Sequence, residues 1–360
     1  MKILILSLAY HPFIGGAEVA IKEITDRIDD VNFDLVTVNL DGRQRTNERL
    51  GNVNIYRLGS GKISKYFFPW AAYKKASQLH HQNKYDLVWA MMANQAGLAA
   101  LKFKKQFPGV KYFLTLQEGD SEFDIWLRTW FIRPLYKAIY RRADYIQAIS
   151  NFLAQRAKRL GAECPVEVVP NGVAWVATDG NYSRGDNVIT TSRLTKKNGI
   201  RYLIEAMQYI DRELLILGDG ELRSDLEELV NKLDLKNKVK FLGHVSYEEV
   251  YKYLSQSSVF VRPSLSEGLG NAFLEAMTMG VPIIGTSVGG IPDFLIDGQT
   301  GWFCRPKDPK STAEKINYIL DPKNAETVNH VVVNARKLVR EQYNWDKIAQ
   351  RMKNIFLQLK

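Results

Sequence analysis

What most constrains this chain is an alternation. Short apolar runs of strand length recur from end to end, and segments with helical spacing separate most of them. One series falls at residues 2–9, 33–38, 54–58, 87–91, 112–116, 145–149 and 166–169. A second falls at 188–191, 214–217, 239–242, 259–261, 282–285 and 302–304. Such alternation predicts an α/β chain whose parallel sheets carry helices on both faces. Ligands of such sheets bind beyond the C-terminal strand ends. A chain of 360 residues is long for one domain and suits two. The polar, glycine-containing segment 175–186 reads as their linker. The predicted domains are therefore 1–175 and 186–342, followed by an amphipathic helix at 345–360. No internal repeat relates the halves.

Within the second series, residues 259–295 read VFVRPSLSEGLGNAFLEAMTMGVPIIGTSVGGIPDFL. A buried strand leads into a loop with glycines, and the loop opens onto a helix expected at 271–279, with Gly280 as its C′ residue. A helix start points unpaired N–H groups and partial positive charge into the loop, which makes it a ready phosphate site. Glu267 lies in the loop and Glu275 in the helix. Side chains lean toward a helix N-terminus, so Glu275 can reach back. Two carboxylates would repel an anion, but they accept hydrogen bonds from hydroxyls attached to it. A nucleotide sugar carries hydroxyls on both sides of its phosphates. Taken singly, each glutamate is also a plain solvated charge near a helix start.

This run, EGLGNAFLEAM with the following G-V-P and the later G-G-I-P-D, resembles the E-x7-E motif of retaining glycosyltransferases of the GT-B fold, in particular family 4. The resemblance implies two Rossmann-like domains facing across a cleft. Domain 1–175 would be the acceptor side and 186–342 the nucleotide-sugar side. Helix 345–360 would cross back to the first domain through a hinge at 342–344. The implied activity is retaining transfer of a sugar from a nucleotide sugar to a glycan, lipid-linked or small-molecule acceptor. UDP- or GDP-sugar would be the co-substrate, with no other cofactor. No D-x-D pair occurs, which suits a metal-independent enzyme.

The same resemblance assigns roles. Glu267, Arg193 and Lys197 are the expected catalytic residues, with Lys196 the alternative to Lys197. Arg193 and Lys197 would clamp the diphosphate, Glu267 would take the donor sugar's hydroxyls and Glu275 the ribose hydroxyls. Gly268, Leu269, Gly270 and Asn271 complete the loop and helix start. The G-D-G at Gly218 and Gly220 and the L-G-H-V ending at Val245 would line the base and ribose pocket. Gly15 and Gly16 would let the first loop approach sugar, phosphates and acceptor, although two glycines also make a plain turn. Asn171 belongs to a P-N-G-V segment. Relatives often place a histidine and then an acid after the strand equivalent to 112–116; here Gln117 and Glu118 stand there. Both are expected on the acceptor or sugar side. The cluster Glu118, Asp120, Glu122 and Asp124 reads as an acidic first helical turn, with a metal or cationic acceptor as the alternative.

The net charge of +10 has three outlets: nucleic acid, an anionic membrane or phosphorylated substrates. No nucleic-acid motif occurs and the cations are spread, so no nucleic acid is expected. Two aromatic and basic stretches stand out, KISKYFFPWAAYKK at 62–75 and WLRTWFIRPLYKAIYRR at 126–142, the second interrupted by Pro134. Aromatic helical stripes are more often core, and that is the first expectation. The alternative is a peripheral contact with an anionic membrane. Cys164 and Cys304 lie far apart and give no disulfide or metal framework. The N-terminal MKILILSLAY runs into His11-Pro12 without a small-residue cleavage site and reads as the first strand. The expected location is cytoplasmic, at the inner membrane face on the second reading of the aromatics. A non-enzymatic two-domain nucleotide- or sugar-binding protein is the main rival, and a phosphorylase or epimerase of the same fold another.

Overall fold

The computed structural model describes residues 1–13, 15–175 and 185–360. Most of the expected linker, residues 176–184, and one residue of the 12–16 loop lie outside the described residues. The chain divides into two compact units. One comprises residues 1–118, 122–171 and 345–360; the other comprises 119–121 and 172–344.

In the first unit the elements are β1 (Lys2–Leu6), α1 (Gly16–Thr25), β2 (Asn32–Val38), β3 (Asn47–Leu50), β4 (Val53–Leu58), α2 (Ser64–Asn83) and β5 (Leu87–Met91). There follow α3 (Gln95–Gln106), β6 (Lys111–Leu116), α4 (Glu122–Thr129), α5 (Arg133–Arg141), β7 (Tyr145–Ala148), α6 (Asn151–Arg159) and β8 (Val166–Val168). The sheet order is β3-β4-β2-β1-β5-β6-β7-β8. All pairings are parallel except that of β3 with β4. Strand β3, sequence NERL, is an exposed, polar edge strand. It had no apolar run to announce it. The central strands are buried on both faces, which is why they read as unbroken apolar runs. Ile3, Ile5, Trp89 and Phe113 pack toward α1, while their neighbours Leu4, Leu6, Val88 and Leu114 are equally buried and, by the alternation of strand side chains, face the opposite layer.

The second unit holds β9 (Asn187–Thr191), α7 (Ile200–Ala206), β10 (Glu213–Leu217), α8 (Arg223–Lys232), β11 (Val239–Gly243), α9 (Tyr247–Ser255), β12 (Val259–Val261), α10 (Asn271–Thr278), β13 (Ile283–Thr286), β14 (Trp302–Cys304), α11 (Pro309–Leu320) and α12 (Ala325–Gln342). Its sheet runs β11-β10-β9-β12-β13-β14, all parallel. In each sheet successive parallel strands are added first to one side and then to the other, and the two runs meet between β1 and β5 and between β9 and β12. These are the topological switch points at which open α/β sheets bind ligands. The last helix, α13 (Trp345–Gln358), groups with the first unit. Its stripe of Trp345, Ile348, Met352, Ile355 and Phe356 joins the core of Ile5, Trp89 and Phe113, and the Phe356 and Trp89 rings stand 5.2 Å apart.

One expectation is overturned in part. Phe68, Tyr136 and Tyr140 of the two basic stretches are core, but most of the other aromatics are not. Ile63, Tyr66, Phe67 and Trp70 at the start of α2 are all more than half exposed, and so are Phe123, Leu127, Trp130 and Phe131. Pro134 does break the second stretch: α4 ends at Thr129, a 3-10 turn spans Trp130–Ile132, and α5 starts with the proline in its first turn. Helix α4 buries no residue at all. Helical spacing reports that residues share a face; it does not report which way the face is turned. Among the described residues no helix is long and apolar enough to cross a membrane.

Candidate active site

The second unit gathers most of the expected donor residues at the C-terminal ends of β9, β10 and β12, beside the switch point. The loop after β9 carries Arg193 and Lys197, the latter in a 3-10 turn of Lys196–Asn198. The Asn198 side-chain amide donates to the Arg193 carbonyl at 2.6 Å, so the turn holds its own shape. The Lys197 carbonyl accepts from the backbone N–H of Leu265 at 2.6 Å and of Ser266 at 3.3 Å. Backbone hydrogen bonds thus stitch the cationic loop to the loop that carries Glu267. Arg193 is exposed. The Lys197 ammonium pairs with Asp120 at 3.0 Å, both side chains about a third exposed. Asp120 is therefore not part of a first helical turn. Of the acidic cluster, Glu122 and Asp124 alone fill that place in α4.

Gly218 and Gly220 have a packing reason as well as a predicted binding one. A Cβ on Gly218 would lie 2.1 Å from the Ser192 carbonyl oxygen, at a φ of +124°, and one on Gly220 would lie 2.5 Å from that of Leu194. The Leu194 N–H in turn donates to the Asp219 carbonyl. These glycines let the β10 loop press on the loop that displays Arg193. Val245 is half-buried just before Ser246, which caps α9 with a reciprocal bond from Glu249.

Glu267 is held on both oxygens. One accepts from Arg262 Nη2 at 2.6 Å, and the other from the N–H of Gly268 at 3.0 Å. The pair is well buried, with side chains 8% and 15% exposed. Arg262 also donates to the Thr191 carbonyl at 3.3 Å and lies over the Phe273 ring, 4.9 Å from its centroid. Sequence reading missed Arg262. The signal was present, since it is a cation directly after a buried strand, the same argument that singled out Arg193. Gly268, Leu269 and Gly270 are buried, and Gly270 precedes α10 at a φ of +104° with Asn271 the first helical residue. Gly280 follows the helix end at a φ of +72°, as expected of a C′ glycine. Gly289 approaches from the next loop. Its added Cβ would sit 1.9 Å from the Glu267 carbonyl oxygen, which also accepts from the Gly290 N–H.

Glu275 is half-buried in α10. Desolvation pushes its carboxyl up to about 7, against the pull of the Arg262 charge and a hydrogen bond from Tyr247. One guanidinium, Arg262, thus acts on both glutamates. It binds Glu267 directly and favours ionisation of Glu275 through space.

The first unit has a smaller set at its own switch point. Gly15 is the N-cap of α1 and Gly16 its first residue. Across the switch, the two Glu118 oxygens accept from the backbone N–H groups of Ala93 and Gln117. Burial pushes the Glu118 carboxyl above its ordinary range, and those N–H groups and Arg156 pull the other way. In this structure Glu118 ties strand ends together rather than offering a free carboxylate. Gln117 and Asn171 form a reciprocal amide pair, each donating to the other at 3.1 Å. Among the described residues no cluster of His, Cys, Asp or Glu could hold a metal ion.

This is the architecture of the GT-B glycosyltransferases: two α/β units with parallel sheets, and charged loops at a switch point. The chain matches the model of Glycosyl transferases group 1 over residues 179–338 and that of Glycosyltransferase Family 4 over residues 14–175. It belongs to this family and is a glycosyltransferase that uses a nucleotide-sugar donor. It is 25% identical to the uncharacterized glycosyltransferase MJ1178 of Methanocaldococcus jannaschii, with 100% of this chain and 99% of that one aligned. Among solved structures it is similar to sucrose-phosphate synthase from Thermosynechococcus elongatus, with a TM-score of 0.87, 22% identity and coverage of 99% and 98% of the two chains. It is also similar to Anabaena HepE in complex with UDP-glucose, with a TM-score of 0.83, 19% identity and coverage of 99% and 100%.

Proposed function

We propose that this chain transfers a sugar from a UDP- or GDP-sugar to a glycan, lipid-linked or small-molecule acceptor, with retention of anomeric configuration and without a metal. The observation that carries the reading is the backbone stitch between Lys197 and Leu265. It joins the loop of Arg193 and Lys197 to the loop of Glu267 at adjoining strand ends of one unit, which supports their acting on one donor. The donor's diphosphate would lie against Arg193, Lys197 and the start of α10, displacing Asp120 from Lys197. Glu267, oriented by Arg262, would accept hydrogen bonds from the sugar hydroxyls, and Glu275 from the ribose. As the bond between the anomeric carbon and the diphosphate oxygen breaks, negative charge grows on the diphosphate. Preorganised cations and N–H groups stabilise it. The acceptor oxygen attacks the same face, and its proton passes to the departing diphosphate. No protein base is required. HepE in complex with UDP-glucose, a relative in fold, supports a uridine donor as the first to try. The work would be done in the cytoplasm.

A panel of UDP-, GDP- and ADP-sugars tests the reading, first by thermal shift and then by turnover with NMR of the anomeric proton of the product. Arg193→Ala and Glu267→Ala should each lower transfer by about 100-fold or more. Full activity in either variant, or a product of inverted configuration, would reject the assignment. Tight nucleotide binding with no turnover of any donor would favour the non-enzymatic rival.

A further inference from the structure

Four helices of the first unit, α2, α3, α5 and α6, contain no Asp or Glu, and the first three pack in a row. Their formal charges all come from lysines and arginines. The sequence has no acid between Glu48 and Asp86, between Asp86 and Glu118, or between Asp124 and Asp144. Helix α2 packs beside α3, and α3 beside α5. A Cβ added to Gly97 of α3 would meet Ile139 of α5 at 2.8 Å. The three therefore form one layer. The other pair of packed helices, α1 and α13, is mixed, with Glu18, Glu23 and Asp346 among its cations.

Exposed aromatics sit on this acid-free layer and on the segment that leads into it, where α4 carries Phe123 and Trp126 beside Glu122 and Asp124 of its first turn. Because α2 follows β4, and α4 and α5 follow β6, both clusters start at the C-terminal edge of the sheet. On α2, Phe67 is 69% and Trp70 55% exposed; before α5, Trp130 is 62% and Phe131 65% exposed. Lys74 of α2 lies 4.1 Å and Lys102 of α3 lies 5.7 Å from the Trp70 ring centroid. Cations from two helices thus flank one indole. Helix α4 buries none of its residues while presenting Phe123, Trp126 and Leu127. A helix of 8 residues with no buried face lacks the packing that normally sustains one.

We propose that this layer docks on an anionic lipid bilayer, with the aromatic and aliphatic side chains entering the interface and the lysines and arginines meeting the headgroups. The inference goes beyond the transfer reaction and does not depend on it. Charge complementarity selects the occupant: α2, α3 and α5 have no acid, the neighbouring α4 has two, one of them paired with Arg159, and such an excess of cations fits a uniformly negative surface. Nucleic acid is also negative, but the exposed aliphatics Ile63, Leu127 and Leu135 have no flat face for base stacking. A bilayer interface accepts them.

The test is flotation of the full chain with vesicles of phosphatidylcholine alone and of phosphatidylcholine mixed with phosphatidylglycerol, at low and high salt. Binding should require the anionic lipid and weaken with salt. Phe67→Ser combined with Phe131→Ser should lower partitioning by about tenfold for each ring removed. Lys74→Glu with Lys105→Glu should lower it by about fivefold or more per site. Circular dichroism and thermal unfolding of each variant check that these exposed sites leave the fold intact. Equal binding to neutral vesicles, no binding to either, or full binding by a folded variant overturns the proposal. Salt-sensitive binding to an RNA or DNA oligonucleotide without vesicle binding overturns it in favour of nucleic acid.

Discussion

Arg262 and Glu267 illustrate what one residue does to its neighbour. Both are nearly buried, and each is the other's counter-charge. Removing one partner of such a pair leaves an uncompensated charge and typically costs about 3–5 kcal/mol. Glu267→Ala should therefore lose stability as well as transfer. Arg262→Met with Glu267→Gln should restore most of the stability, read by urea denaturation, while transfer stays down by about 100-fold. Recovery of transfer in the double variant would mean that Glu267 serves the fold alone. Arg262→Met by itself should also impair transfer, because Glu267 loses the partner that orients it. Glu275 makes a second prediction. Its folded carboxyl holds its proton up to about 7, whereas in the unfolded chain it releases it near ~4.3. The associated stability is whole below the unfolded value and is lost as pH rises toward about 7. Thermal stability without donor should show that fall, and Glu275→Gln should flatten it. If the ionised carboxylate takes the ribose hydroxyls, nucleotide affinity should weaken as pH drops through the same range. Titration calorimetry at several pH values measures this.

Between neighbouring loops, glycine sets the distances. Gly218 and Gly289 both have positive φ, and each lies where a Cβ would strike a carbonyl oxygen of an adjacent functional loop. Gly289→Ala should push the Glu267 loop away. It should cost at least about 2 kcal/mol from strain and displacement together, with kcat falling more than the melting temperature alone explains. These contacts connect the motif's parts physically: G-D-G supports the Arg193 loop, and G-G-I-P-D supports the Glu267 loop. In the first unit α13 has a comparable role. It lies at the far end of the chain yet fills the core beside Trp89 and Phe113. Phe356→Ala should destabilise by about 3–5 kcal/mol. A chain ending at Asn344 should expose that core and fail to give a cooperative unfolding transition.

For the whole molecule, the net charge of +10 now has two distinct addresses. A few cations stand at the β9 switch point, where a diphosphate is proposed. Many more lie on the α2, α3 and α5 layer. Salt should therefore act differently on donor binding and on vesicle binding, the second being the more sensitive because its charges are solvated and numerous. Donor saturation should also raise the unfolding temperature. At 100 times the dissociation constant, linkage adds about 2.7 kcal/mol, on the order of 5–10 °C for a unit of this size. A shift that vanishes in Arg193→Ala would place the ligand at this site.

The positions of most strands, the parallel sheets and the Glu267 loop were legible in the chain because local periodicity and glycine placement are themselves local physics, while the order of strands in each sheet was not. Short apolar runs separated by helical spacing read as inner strands, and a glycine loop before a helix is an expected anion site. Strand β3 escaped notice because a polar edge strand has no such pattern. Side-chain partnership was a different matter. That Arg262 clamps Glu267, that Lys197 meets Asp120, and that Glu118 binds strand-end amides depends on which loops come together after the sheets assemble. Those approaches arise from long-range packing and are not encoded in any single window. The same holds for the aromatic stretches: helical spacing groups their aromatics and cations, but only the packed structure settled that Trp70, Trp126 and Trp130 look outward while Phe68, Tyr136 and Tyr140 turn inward.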